Sequence, residues 1–443
     1  MDPVLFARIQ FALTVGFHFI FPPITIGLGW LLVALEWRGW RRGDADALRA
    51  ARLFGKLLAA TFAIGVATGI LMEFQFGTNW AGYSKFVGDI FGAPLAAEAI
   101  FSFFLESTFL GLYLFGRGRV SKGLHWFSIL MVAVGATISA FWILVANSWQ
   151  QTPAGYVLRN GRAELLDFGE AVLNASTLPR FAHTLMAALV AGSFFMAAVA
   201  AYRLRRQAAD PIGRRTLPLA VVVGFAASLL VAFPTGHEHA RQVARTQPEK
   251  FAAIEGLYTS QQAAPLVLFG LVQNRPPKLE HTLEIPGLLS WMALGDANAV
   301  IRGIDEFPPD DIPPLWMTFV SFHNMVILGL IFIAIAGWGV LQLWRRRLFD
   351  DRRYLKLLVL AVPLPVLATQ FGWVTAEVGR QPWIVYHLLR TADAHSPTVS
   401  AGEILFSILL FGTIYAFLGV LWGWVVLREA RHGLTTPGTG EVA

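Results

Sequence analysis

The chain is organised by nine long apolar runs separated by short polar intervals. They fall at roughly 8–35, 54–77, 95–116, 123–148, 180–203, 216–236, 316–344, 355–378 and 401–427. A helix needs about 20 residues to cross the hydrocarbon core of a bilayer, and each run has that length. The runs are continuous, not alternating, which argues for helices and against a β-barrel. The expected fold is therefore an all-α polytopic membrane protein with nine transmembrane helices. The one long interval, from about His237 to Leu315, carries many charges and the pairs Pro308–Pro309 and Pro313–Pro314. The expected division is 1–236 for helices one to six, 237–315 for a loop, 316–428 for helices seven to nine, and 429–443 for a tail. No internal repeat is evident, so an inverted-repeat transporter gains no support.

Charge orients this pattern. Intervals after the first, third, fifth and seventh runs, together with the tail, hold most of the 35 lysines and arginines. Examples are Arg38, Arg41 and Arg42, and Arg345, Arg346 and Arg347. By the positive-inside rule the N-terminus lies outside, the C-terminus is cytoplasmic and the long loop is extracytoplasmic. These arginines read as topology signals, and the net charge of +6 does not point to nucleic acid. Only 14% of residues are charged and 55% are hydrophobic, too little charge for the surface of a soluble domain of this size. The first run lacks a preceding basic segment and a cleavage site, and reads as the first span. With no cysteine, thiolate metal sites, disulfides and thioether-linked haem are excluded.

Against this apolar background, six side chains able to bind a metal or carry a proton stand out: His18, Glu98, Glu106, His183, Met325 and Glu377. Ionisable groups inside a membrane are costly and mark function by default. Five of the six are expected in the outer half, with Glu98 near the outer end of the third helix and Glu106 about 12 Å deeper. Histidine with methionine, here His183 and Met325, is an axial pair suited to a low-spin haem. His18, in an aromatic stretch, is a candidate ligand of a second haem with an open position. A carboxylate such as Glu377 or Glu98 is a hard ligand for ferric iron at a third. Glu98 and Glu106, with Ser107 beside the latter, are candidates for a proton relay. Arg380 is placed for bidentate contact with haem propionates. Each has a plainer reading as a satisfied buried group or core filler. Gly236-His237-Glu238-His239 reads as polar loop and not as a metal site. Gly65-x-x-x-Gly69 reads as a close helix contact.

The motifs then carry a resemblance. They are Arg8-Ile-Gln10, Gly65-Val-Ala-Thr-Gly69, Glu73-Phe-Gln75-Phe-Gly77-Thr-Asn79-Trp80, Gly88-Asp-Ile-Phe-Gly-Ala-Pro94, Phe104-Leu-Glu106-Ser-Thr108 and Gly379-Arg380-Gln381-Pro382-Trp383. In this order they resemble subunit I of cytochrome bd-type quinol oxidases over nearly the whole chain. The loop is of the short type and looks closest to the cyanide-insensitive branch.

The resemblance implies three haems: a low-spin haem b on His183 and Met325, and two high-spin haems served by His18 and Glu377. The high-spin pair would be haem b and haem d, or a further haem b in its place. Glu98 would lie near the oxygen-reducing haem, and Glu106 and Ser107 on the proton route. Arg380 and Trp373 would touch haem edges. Lys250 and Glu255 would contact quinol, ubiquinol by expectation. A subunit II of homologous fold and a small single-span subunit would be partners, in a bacterial cytoplasmic membrane.

The implied reaction is quinol oxidation at the outer face with reduction of O2 to water. Protons taken from the cytoplasm would generate proton motive force without pumping. Where many relatives have arginine ahead of the haem methionine, this chain has His323 and Asn324, which opens His323 as an alternative ligand. Two other readings compete, a haem b subunit that only transfers electrons and a proton-coupled transporter.

Overall fold

The computed structural model describes residues 2–274 and 277–434. Among these are nine helical segments long and apolar enough to cross a membrane: Pro3–Arg42, Ala45–Thr78, Ala81–Phe115, Lys122–Gln151, Phe168–Arg206, Pro211–Thr246, Leu315–Trp344, Arg352–Val378 and Ala401–Arg431. They are numbered here as spans one to nine. All nine expected runs are present, and most helices extend beyond them into polar sequence. Side-chain caps decide where several begin. Asp44 accepts from the Ala47 amide (3.0 Å), Ser121 from Leu124 (3.2 Å), Asp210 from Gly213 (2.6 Å) and Asp351 from Tyr354 (3.0 Å). Ser400 and Glu403 form a reciprocal capping box at the start of span nine.

Span one is broken. Its first helix ends at His18 and the second starts at Phe21. Pro22 and Pro23 cannot donate to the carbonyls of His18 and Phe19, so the ladder must open there. Two other spans carry π-helical segments, Glu98–Phe103 in span three and Val231–Thr235 in span six. Such segments are rare and often lie at functional sites. The Gly65/Gly69 pair packs span two against the break in span one. A Cβ on Gly65 would stand 3.3 Å from Phe21 Cβ, and one on Gly69 3.2 Å from His18 Cε1.

The largest apolar core draws on all nine spans, most heavily on spans two and five. A second lies among span three, the end of span four and the connector between spans eight and nine. Residues expected to form a simple loop from His237 instead fold into a cap with its own core around Phe251, Ile254 and Leu289. Span six continues to Thr246, and a short helix Pro248–Glu255 follows. An antiparallel hairpin pairs Leu266–Asn274 with Pro277–Ile285. Residues 435–443 of the expected tail lie outside those described.

Candidate functional site

At the cap end, the last turns of spans four and eight meet the start of span five. Their polar residues make one cluster around Glu377. Its Oε1 accepts from Asn147 (3.0 Å) and its Oε2 pairs with Arg380. Arg380 also donates to Gln150 (2.8 Å), and Arg180 to Asn147 (3.1 Å). Lys250 comes in from the cap and donates to Gln151 Oε1 (3.0 Å) and the Ala376 carbonyl (2.9 Å). Arg180, Arg380 and Lys250 are all buried. Burial and the nearby Arg180 hold the Lys250 ammonium well below its usual range.

Two buried guanidinium groups and the Lys250 amine face one carboxylate here, and the guanidinium donors are under-used. Arg180 Nε and Nη2, Arg380 Nε and Trp383 Nε1 are buried with no acceptor among the described residues. An orphaned charged donor costs more than a neutral one. The arrangement fits an anionic, oxygen-rich ligand. Haem propionates have that chemistry.

The histidines and the methionine fit the same group. Thr68 Oγ1 spends its hydrogen on the Ile64 carbonyl (2.8 Å), so its contact with His18 Nδ1 (3.1 Å) must be donated by the ring. That fixes the tautomer and leaves the His18 Nε2 lone pair for a metal. His183 Nδ1 is buried with no hydrogen-bond partner among the described residues, and its ring lies 5.6 Å from that of His239. Gly372 in span eight makes room for Met325: a Cβ there would stand 3.0 Å from Sδ. Trp373 stacks on Phe19 at the break in span one (5.6 Å). Among the described residues, no three His, Asp or Glu side chains could together hold a bare metal ion. Each candidate offers one or two ligands, the number that a macrocycle supplying four leaves open.

Span three holds the acids. The expectation that Glu98 lies near its outer end is corrected: the helix starts at Ala81, so Glu98 sits at its midpoint. Ser139 donates to Glu98 Oε1 (2.7 Å). Eight α-helical residues would turn Glu106 about 80° from Glu98, and the slower-winding π segment between them reduces that offset. Glu98 is within electrostatic reach of both Glu106 and Glu73. Glu106 is buried where Gly135 of span four lets the backbones approach, and its carboxyl group makes no hydrogen bond among the described residues. Ser107 donates back to the Phe103 carbonyl (2.6 Å), a local bond that does not reach Glu106.

In the cap, Glu255 is buried, and its Oε2 has no partner among the described residues. Burial pushes its carboxyl up to about 8. Lys250 and Glu255 are thus not a solvated surface pair. His323, the alternative ligand, lies between two backbone acceptors: its ring nitrogens stand 3.0 Å from the Phe319 carbonyl and 2.9 Å from the Val267 carbonyl, and the single N–H of a neutral ring bonds one of them. Gly236–His239 is helical, with His239 turned toward His183.

The fold and this cluster define a class: a polytopic membrane protein with isolated buried metal ligands, buried acids and an anion-seeking arginine pair. The comparisons agree. Residues 6–434 match the family described as cytochrome bd terminal oxidase subunit I. The chain is 40% identical to cytochrome bd ubiquinol oxidase subunit 1 of Bacillus subtilis (strain 168), covering 98% of this chain and 94% of the relative. It is 33% identical to cytochrome bd-II ubiquinol oxidase subunit 1 of Escherichia coli (strain K12), covering 98% and 97%. The bd oxidase structure from Geobacillus thermodenitrificans superposes with a TM-score of 0.92 at 31% identity, covering 98% of this chain and 99% of that one. The chain belongs to the cytochrome bd terminal oxidase subunit I family, and so is a subunit of a haem-containing terminal quinol oxidase.

Proposed function

We propose that this subunit works in a bacterial cytoplasmic membrane, oxidises ubiquinol at its cap end and reduces O2 to water with protons drawn from the opposite, arginine-rich end. The carrying observation is the set of orphaned donors on Arg180 and Arg380 beside Glu377. His183 and Met325 would hold a low-spin haem b. His18 and Glu377 would serve a high-spin haem b and a haem d, or a further haem b in its place. Glu377 keeps lone pairs on both oxygens beyond its bonds to Asn147 and Arg380. Bound haem supplies one-electron transfer and, where a coordination position is open, the site for oxygen.

The protein's own groups do the rest. Arg180 and Arg380 hold propionates, and Trp373 walls the pocket. Glu255, neutral below about pH 8, presents a hydroxyl with no acceptor to a quinol oxygen, and Lys250 closes the cap onto spans four and eight. Glu106 carries protons from the arginine-rich end toward Glu98 at the middle of span three. Releasing quinol protons outside and taking the protons of water from inside separates charge without a pump. Span nine is only 11% buried over its apolar window, which leaves a face for lipid, a second subunit of homologous fold or a small single-span subunit.

The test is a reduced-minus-oxidised spectrum of the purified complex, repeated with CO. Bands of b type together with a CO-sensitive band are expected. A red-shifted CO-sensitive band assigns haem d, and b-type bands alone assign haem b throughout. A complex that binds no CO would leave electron transfer alone, and a colourless one would sink the reading.

A further inference from the structure

Between the cap and the connector that joins spans eight and nine lies an open cleft of about 400 Å³, lined in part by Thr246, Glu249, Arg302, Asp311, Tyr386 and His387. On its wall His387 Nε2 meets Glu249 Oε1 at 3.1 Å. The two differ sharply in access. The Glu249 side chain is 7% exposed and that of His387 is 55% exposed. The pair therefore links a buried carboxyl to water. His387 is held there at some conformational expense: its φ is +56°, in the left-handed region that non-glycine residues seldom adopt. Its ring stacks on Tyr386 (4.1 Å) and tilts against Trp383 (5.3 Å). The Tyr386 hydroxyl also addresses Glu249.

The inner side of this wall adjoins the site described above. The Tyr386 amide donates to the Gln150 carbonyl (2.9 Å), and the Gln150 side chain accepts from Arg380 (2.8 Å). Lys250, one residue after Glu249, reaches Gln151 and Ala376. Other charges at the cleft are Arg302 and the Arg390–Asp311 pair (2.8 Å).

We propose that Glu249 and His387 form the exit through which protons released on quinol oxidation reach the outer solvent. The inference rests on the quinol-oxidase reading. A quinol that becomes a quinone loses two electrons, which pass to the one-electron acceptor of the oxidase, and two protons. Each proton binds a Glu249 carboxylate oxygen and then moves to His387 Nε2, breaking the O–H bond as the N–H bond forms. The imidazolium then gives its Nδ1 proton to water in the cleft, and the half-exposed ring returns to its Nδ1–H form by proton exchange with that water before the next proton arrives. A simple staple between cap and connector would need neither the open cleft nor the left-handed backbone.

The test uses the intact complex in vesicles, with oxygen uptake and a pH-indicator dye outside as paired readouts. His387→Ala is expected to slow quinol-driven uptake and the appearance of outside protons together, by roughly 10²-fold. Added imidazole should restore both. Glu249→Gln should slow both without rescue. Uptake driven by a one-electron donor that carries no proton should remain at the parent rate in both variants. Parent rates with quinol in both variants would overturn the proposal. So would a His387→Ala loss that imidazole does not touch but His387→Gln repairs, since that is a staple. A parent complex that takes up no oxygen from quinol overturns the functional reading as well, and so is told apart.

Discussion

Span five carries a buried arginine near each end, and the two are treated in opposite ways. Arg203 is saturated. Its Nε and Nη2 bind both oxygens of Asp210 (2.9 and 2.8 Å), and Nη1 donates to the Ala430 (3.1 Å) and His432 (2.9 Å) carbonyls. Arg180 is almost as buried, 4% exposed against 2%, yet only its Nη1 has a partner among the described residues. Both are charges taken out of water. One is balanced by the fold itself, and the other keeps two donor nitrogens with no acceptor among the described residues. A saturated buried ion marks structure, and an unsaturated one marks a ligand.

The comparison is broken most directly by deleting each arginine. Arg203→Leu leaves Asp210 buried without its counter-ion and should cost about 3–5 kcal/mol of stability. Arg180→Leu removes a group with one protein partner, so the haem-free fold should keep its stability or gain some, while haem content falls. Denaturant unfolding of the haem-stripped protein, with the haem-to-protein ratio of the loaded complex, separates the two. Equal destabilisation by both substitutions would end the distinction.

Two buried acids repeat the contrast on a smaller scale. Glu36, at the arginine-rich end, accepts from Tyr113 (3.0 Å) and pairs with Arg117, with His125 at 3.6 Å. The Glu106 carboxyl has no such partner among the described residues. Glu106→Gln should keep the haem spectrum and slow quinol-driven oxygen uptake by roughly 10²-fold. Glu36→Gln should leave the rate within about twofold and lower stability instead, since its contacts with the half-buried Arg117 and the buried Tyr113 are what it weakens. A rate loss confined to Glu36→Gln would reverse the assignment.

Much of this was legible in the sequence because the bilayer demands it. Twenty apolar residues in a row have few alternatives, so nine spans could be placed. For the same reason His18, Glu98, Glu106, His183 and Glu377 stood out against their surroundings. Helix ends were less legible, since Asp44, Ser121 and Asp210 set them from polar sequence, and Glu98 was misplaced because span three begins at Ala81. The π segments leave no simple periodic mark. Arg180 was missed because a lone interfacial arginine reads like any other, although its spacing of three before His183 on one helix was a usable signal. Asn147, Gln150 and Gln151 looked like the polar end of a span, and only the fold brings them to Arg380, Glu377 and Lys250. Glu249 and His387 are distant in sequence, and no local pattern joins them.

Within the cap the smallest expected effect separates Glu255 from Lys250. Lys250 has two acceptors; Glu255 has a buried Oε2 with none among the described residues. Burial raises the Glu255 carboxyl from 4.5 to about 8. The folded state therefore binds a proton there that the unfolded chain releases between those values. Its contribution to stability is full below 4.5 and is lost as pH rises through about 8. Glu255→Gln keeps the shape and removes the titration. Across that window the parent complex should lose stability relative to the variant, and below it the two should run together. Denaturant midpoints measured at intervals of pH read the difference directly. A gap between parent and variant that stays constant with pH would mean that Glu255 is already paired in the folded cap, and it would then no longer be the group with a hydroxyl to offer quinol.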